Sequence, residues 1–102
     1  TEPDRMREFD VVAAWPGSVL FNETKGGAMR PEYLTNFATF IESGDFFGFF
    51  PEYAGRRLIP VFSALALAES DIRYLSREKI YALTMGDETM EIVNLAEVGQ
   101  PR

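Results

Sequence analysis

Proline and glycine cut this chain into pieces too short for most architectures. Trp15-Pro16-Gly17, Lys25-Gly26-Gly27, the stretch from Gly44 to Pro51 and Gly86-Asp87-Glu88 each interrupt the apolar pattern. Polar turns therefore fall about every eight to twelve residues over most of the chain, a spacing that favours short strands over long helices. With 102 residues there is material for one hydrophobic core and no second one.

Phe9 to Ala14 reads as a short strand stopped at Trp15-Pro16-Gly17, where proline fixes one dihedral and glycine frees the next. Ser18 to Glu23 alternates as a second strand, with Val19 and Phe21 on one face, which completes a hairpin. Pro31 to Ser43 is predicted as a helix, because Tyr33, Leu34, Phe37, Phe40 and Ile41 recur at steps of three and four. Pro31 suits the first helical position, Glu32 the first turn, and Gly44 a left-handed stop. Leu58 to Ala68 admits strand or helix, with strand preferred. Ile72 to Leu75 and Lys79 to Met85 predict two strands joined by Ser76-Arg77-Glu78, and Met90 to Val98 a last strand with apolar side chains on both faces.

The expected fold is α+β and β-rich: a small antiparallel sheet or partly open barrel of about five or six short strands with one helix near residues 31–43. Residues 1–8 form a polar tail, 9–97 a single domain, and 98–102 an end with nothing apolar to anchor it. From Ser18 to Met85, the order of strand, turn, Arg30 to Asn36 segment and a closing pair at Ile72-Arg73-Tyr74-Leu75 and Ile80-Tyr81-Ala82-Leu83 resembles an Sm-like small barrel. Arg30 stands where that family's pattern wants an acidic residue, and Tyr74 where it wants glycine. The resemblance thus implies a barrel shape and a ring-like assembly without the RNA contacts.

Composition closes many functions. The absence of cysteine and histidine removes disulfides, thiolate nucleophiles, imidazole bases and zinc sites built on nitrogen or sulfur ligands. Ten basic against sixteen acidic residues give a net charge of -6, which repels polyanions, and the nearest basic groupings are only Arg56-Arg57 and Arg77-Lys79. No nucleic-acid partner is expected. The apolar run from Val61 to Ala68 is far short of a bilayer span, and the charged start lacks the apolar core of a leader, so a cytoplasmic protein without a membrane partner is expected.

Asp87, Glu88 and Glu91 are the densest carboxylates, but they lack the ligand ladder of a calcium loop, and the glycines match no phosphate or dinucleotide loop. No catalytic residue, metal ligand or cofactor is assigned, and an enzyme is not expected. The segment from Phe46 to Tyr53 carries the strongest signal. Phe46, Phe47, Phe49 and Phe50 flank Gly48 in pairs, and in an extended chain neighbours point to opposite faces, so part of this surface would meet water. Its alternatives are core filling and a contact surface. Phe46, Phe47, Phe49, Phe50 and Tyr53, rimmed by Arg56 and Arg57, are taken as candidate partner-binding residues, and Trp15 as either a core lid or an anchor. The expected function is that of a non-enzymatic accessory or adaptor protein that docks on a protein partner or self-associates. The alternative is an acidic inhibitor masking the basic surface of a nucleic-acid enzyme.

Overall fold

A computed structural model describes residues 8–85 and 89–98, with side chains from residue 10 onward. Strands β1 (Glu8–Trp15) and β2 (Ser18–Lys25) are followed by helices α1 (Pro31–Ser43) and α2 (Asp45–Phe49) and a 3-10 turn at Pro51–Tyr53. Then come β3 (Arg57–Ala64), α3 (Glu69–Arg77), β4 (Tyr81–Met85), β5 (Met90–Ile92) and α4 (Leu95–Val98). The domain is α+β, built on one open sheet of order β1-β2-β3-β4-β5.

The first hairpin forms where the sequence places it. Pro16 and Gly17 make a two-residue turn, with Gly17 at φ 85°, a left-handed conformation that side chains resist. That turn pairs Trp15 with Ser18, and the whole β1–β2 register follows from it. The α1 helix also has the predicted bounds. Its cap, Gly44, takes φ 83° and donates its N–H to the Ile41 carbonyl at 3.3 Å.

The sheet is mixed rather than antiparallel. β2 pairs with β3, and β3 with β4, in parallel, while the two outer pairings are antiparallel. Parallel neighbours need a crossover, and α1–α2 and α3 supply the two. Both crossovers step in the same direction along the sheet, so with the usual right-handed connection they gather on one face. There Val19, Phe21, Phe62 and Ala82 pack against Leu34 and Phe37 of α1, Phe46 of α2 and Leu75 of α3. Ring contacts run between the layers, with Phe21 5.8 Å from Phe37 and 5.1 Å from Phe46, and Phe37 5.7 Å from Phe62. Each fully buried ring contributes on the order of 1.5–3 kcal/mol. On the opposite face Val11, Trp15, Met90 and Ile92 are exposed.

Three predicted elements are corrected. Residues 72–75 belong to helix α3, so the predicted 72–75 and 79–85 strand pair does not form. Leu75 is buried in the core with Tyr74 packed against it, and the Asp71 carboxylate accepts the Ala68 N–H at 3.0 Å, fixing the helix start. Residues 45–53 are helical rather than extended. The last predicted strand stops at Ile92, because Asn94 is drawn into the core and a short helix follows. Among the described residues the one predicted helix thus becomes four α-helices. The strand reading of the 58–68 segment holds as far as Ala64. Pro60 fits inside this central strand because β4 begins pairing only at Val61, so β3 is locally an edge there.

Asn94, fully buried, joins the end of the chain to the sheet. Its side-chain oxygen accepts the Ala82 N–H at 2.8 Å, and its amide donates to the Ile80 carbonyl and the Ser76 hydroxyl, each at 3.0 Å. Among the described residues no helix is long and apolar enough to cross a membrane. Of the expected tails at 1–8 and 98–102, residues 1–7 and 99–102 lie outside the described residues, as does the turn at Gly86-Asp87-Glu88, while Glu8 opens β1 and Val98 ends α4 with its side chain buried.

Candidate functional site

Helical geometry divides the predicted contact residues. In an extended chain adjacent rings would oppose one another, whereas a helical turn aims one inward and spreads the rest around its axis. Phe46 is fully buried in the core. Phe47 meets it edge-on at 5.2 Å and is half-buried, and Phe50 lies 4.9 Å from Phe46 and 6.3 Å from Tyr53. Phe49 alone projects outward, 73% exposed. Arg56 and Arg57 are tied to the hairpin turn: the Arg56 guanidinium donates to the Trp15 carbonyl at 3.2 Å and sits 5.3 Å from the Tyr53 ring, and the Arg57 N–H donates to the Gly17 carbonyl at 2.9 Å. Trp15 is 45% exposed on the far face of the sheet.

The hairpin creates a second grouping that the sequence reading missed. Pairing Trp15 with Ser18 places Asp10 directly across from Glu23, just beyond the core pair Val12 and Phe21. Opposite residues of an antiparallel pair share a face with Cβ atoms about 4.5–5.5 Å apart, so both carboxylates lie on the helix-covered side. Lys25, two residues past Glu23, shares that side, and its Nζ is 3.5 Å from Glu23 Oε2. The Lys25 ammonium also lies 4.7 Å from the ring centre of Tyr33 on α1. The Lys25 and Glu23 side chains are only 14% and 23% exposed. Charged groups held so far from water on a core-facing surface are expensive, which marks the grouping as a candidate for function. The signal was present in the sequence: a two-residue turn at Pro16-Gly17 sets the register that brings Asp10 to Glu23.

This corner opens into a cleft of about 320 Å³ lined by Asp10, Val12, Phe21, Phe40, Phe49 and Phe50. The aromatic segment therefore forms one wall of the cavity in which Asp10 stands. A second cleft, of about 290 Å³, lies at the other end of the sheet among Ile41, Leu58, Tyr81, Val98, Glu78 and Lys79. Close by, the Glu42 carboxyl is held above its ordinary 4.5 by a hydrogen bond to the Glu78 side chain, by the charge of Glu78 and by slight loss of hydration. Loss of hydration, then the charges of Glu78 and Glu42, raise the Tyr74 phenol above its usual 10.0, and Arg77 opposes them.

Among the described residues no three carboxylate, imidazole or thiol groups converge as a protein cage for a metal ion. Of the acidic cluster weighed from sequence, Asp87 and Glu88 lie outside the described residues, and Glu91 is exposed on β5, across from Thr84. Asp10 and Glu23 make a different arrangement: two carboxylates opposite each other and a lysine beside Glu23, with Asp10 the one of the three that lines the cleft. Two carboxylates satisfy only part of an octahedral cation such as magnesium, which ordinarily completes its shell with water and substrate phosphate. Lysine acts at phosphate as a point charge. No protein-family model, curated protein or solved structure matches this chain.

Proposed function

We propose that the chain carries a metal-dependent phosphodiester-hydrolysing site formed by Asp10, Glu23 and Lys25. The observation behind it is the cross-strand opposition of Asp10 and Glu23, with Lys25 3.5 Å from Glu23 and Asp10 itself lining a cleft of about 320 Å³. Asp10 and Glu23 would hold the cation, and Lys25 would face a non-bridging phosphate oxygen and offset the charge that develops on it. A bound cation would supply an acidified water for hydrolysis of the diester, in which one diester and one water give one monoester and one alcohol. The chemistry needs no thiol or imidazole, and this chain has neither.

Magnesium and manganese titrations by calorimetry, with hydrolysis of bis(p-nitrophenyl) phosphate followed in parallel, test the proposal. Binding and turnover are expected in the native chain. Asp10→Asn and Glu23→Gln should lose both, and Lys25→Met should lose turnover while keeping cation binding. Activity that survives Asp10→Asn in a folded protein, or absence of cation binding in the native chain, would overturn it.

A second reading, a non-enzymatic accessory acting through protein contact or self-association, draws on the exposure of Phe49 and of Val11, Trp15, Met90 and Ile92 on the far face of the sheet. Sedimentation of the native chain against Phe49→Ser and Trp15→Ser tests it. A mass above the monomer that falls in either variant would support the contact, and a monomer at high concentration would remove self-association.

A further inference from the structure

We propose that the free edge of β1 pairs with β1 of a second copy of this chain, so that two sheets join into one across a two-fold axis at Val12. The inference rests on the self-association reading, to which it adds the contact surface, and stands apart from the hydrolytic one. A two-residue turn closes on a pair that exchanges both backbone hydrogen bonds, and bonded and unbonded pairs alternate from there. Trp15, Ala13 and Val11 accordingly turn their backbone groups toward β2, and Ala14, Val12 and Asp10 turn theirs outward. Among the described residues no strand receives them. Ala13 and Ala14 are exposed and Val12 is half-buried, so the helical layer leaves this margin open to an approaching strand.

Sheet edges are ordinarily blunted by shortness, lysine, proline or a bulge. The opposite edge follows that rule, since β5 is three residues long. β1 runs for eight residues in unbroken register, and Val11-Val12-Ala13-Ala14-Trp15 carries neither charge nor proline. Such a strand is a template for another. Charge then selects the register. Each copy has net charge -6, so two copies meet most readily where charge is sparse, as it is at residues 11–15. Antiparallel pairing centred on Val12 sets Asp10 of one copy across from Ala14 of the other, and all three outward-facing residues find partners at once. The two Asp10 residues then stand about 13 Å apart along the strands, beyond the screening length at physiological salt. On the face away from the helices Val11 of one copy meets Ala13 of the other, which covers a valine that is 48% exposed in the single chain. Among the described residues each chain has one long free edge, so pairing consumes it and the assembly closes at two.

Sedimentation equilibrium over a concentration series tests the pairing. The native chain should show twice the mass of one chain, dissociate on dilution, and associate more tightly as salt screens the repulsion between two acidic copies. Ala14→Pro removes an N–H that points away from β2, so it should leave the hairpin folded by circular dichroism and yield a monomer. Ala13→Lys keeps the backbone intact and should weaken the dimer about tenfold or more. The chain has no cysteine, so Val12→Cys supplies a sole thiol. Facing Cα atoms of a bonded antiparallel pair lie about 5.5 Å apart, within reach of a disulfide, and mild oxidation of Val12→Cys should link two copies while Met90→Cys stays unlinked. A dimer that survives both Ala14→Pro and Ala13→Lys, or links through Met90→Cys and not Val12→Cys, overturns edge pairing while self-association stands. A native chain that stays monomeric at millimolar concentration overturns both.

Discussion

Asp10 stands opposite Glu23 on the same sheet face as the wholly apolar pair Val12 and Phe21, one step further from the turn. Charge thus begins where the helical layer ceases to cover β1, and the carboxylates lie at a boundary between core and cleft. A cation bound there links to folding. At about ten times its dissociation constant it would add about 1.4 kcal/mol, which in a domain of this size raises Tm by several degrees. Scanning calorimetry with and without magnesium should show the shift in the native chain and none in Asp10→Asn.

The aromatic segment should split by burial. Phe46 is fully enclosed, so Phe46→Ala should cost about 3–5 kcal/mol in urea unfolding. Phe49→Ala removes mostly solvent-exposed surface and should change stability by about 0.5 kcal/mol or less. Equal costs at the two positions would contradict the helical placement of residues 45–49.

Asn94 saturates three groups around the α3–β4 junction. Asn94→Ala would leave the Ala82 N–H and the Ile80 carbonyl buried without their partner, at a cost of about 2–4 kcal/mol measured as a shift of the urea midpoint. Asn94→Asp should not rescue it, since a carboxylate cannot donate to the Ile80 carbonyl.

The Glu42 and Glu78 carboxyls offer a pH test with a defined sign. The folded state holds the Glu42 proton more tightly than the unfolded chain, whose carboxyl has the ordinary 4.5. Stability from this pair is complete below that value and is lost as pH rises through the raised one. Urea midpoints between about pH 4 and about pH 7 should therefore fall less steeply in Glu78→Gln than in the native chain. The effect is small, because the Glu42 side chain is exposed to solvent. Glu78→Gln should also lower the Tyr74 ionisation midpoint, read by absorbance, since Glu78 is one of the charges that raise it.

Local elements were readable and long-range ones were not. The α1 helix carries its own proline start, its own glycine stop and an unbroken apolar stripe, so nothing distant is needed to place it. The β1–β2 hairpin is likewise set by two residues at its tip. The parallel pairing of β2, β3 and β4 depends on crossovers, and the residues of α3 look strand-like until Asp71 is seen to cap Ala68. At 45–53 the run of phenylalanines suggested an extended chain, yet Gly44, already used as the stop of α1, lets the backbone turn and begin a new helix at once. The candidate site falls between these cases: its spacing is local to the hairpin, but Lys25 acquires meaning only when Tyr33 and the aromatic wall arrive from the helical layer.

Among the described residues β1 has a single neighbour in the sheet, and it supplies one of the two carboxylates. An outer ribbon is the part of a sheet that peels first, so any loosening of β1 would carry Asp10 away from Glu23 and dismantle the cradle before the rest of the molecule changed. An ion clasped between them would work as a rivet on that margin, and the strand most prone to detach would be the one fastened by the substrate's own metal.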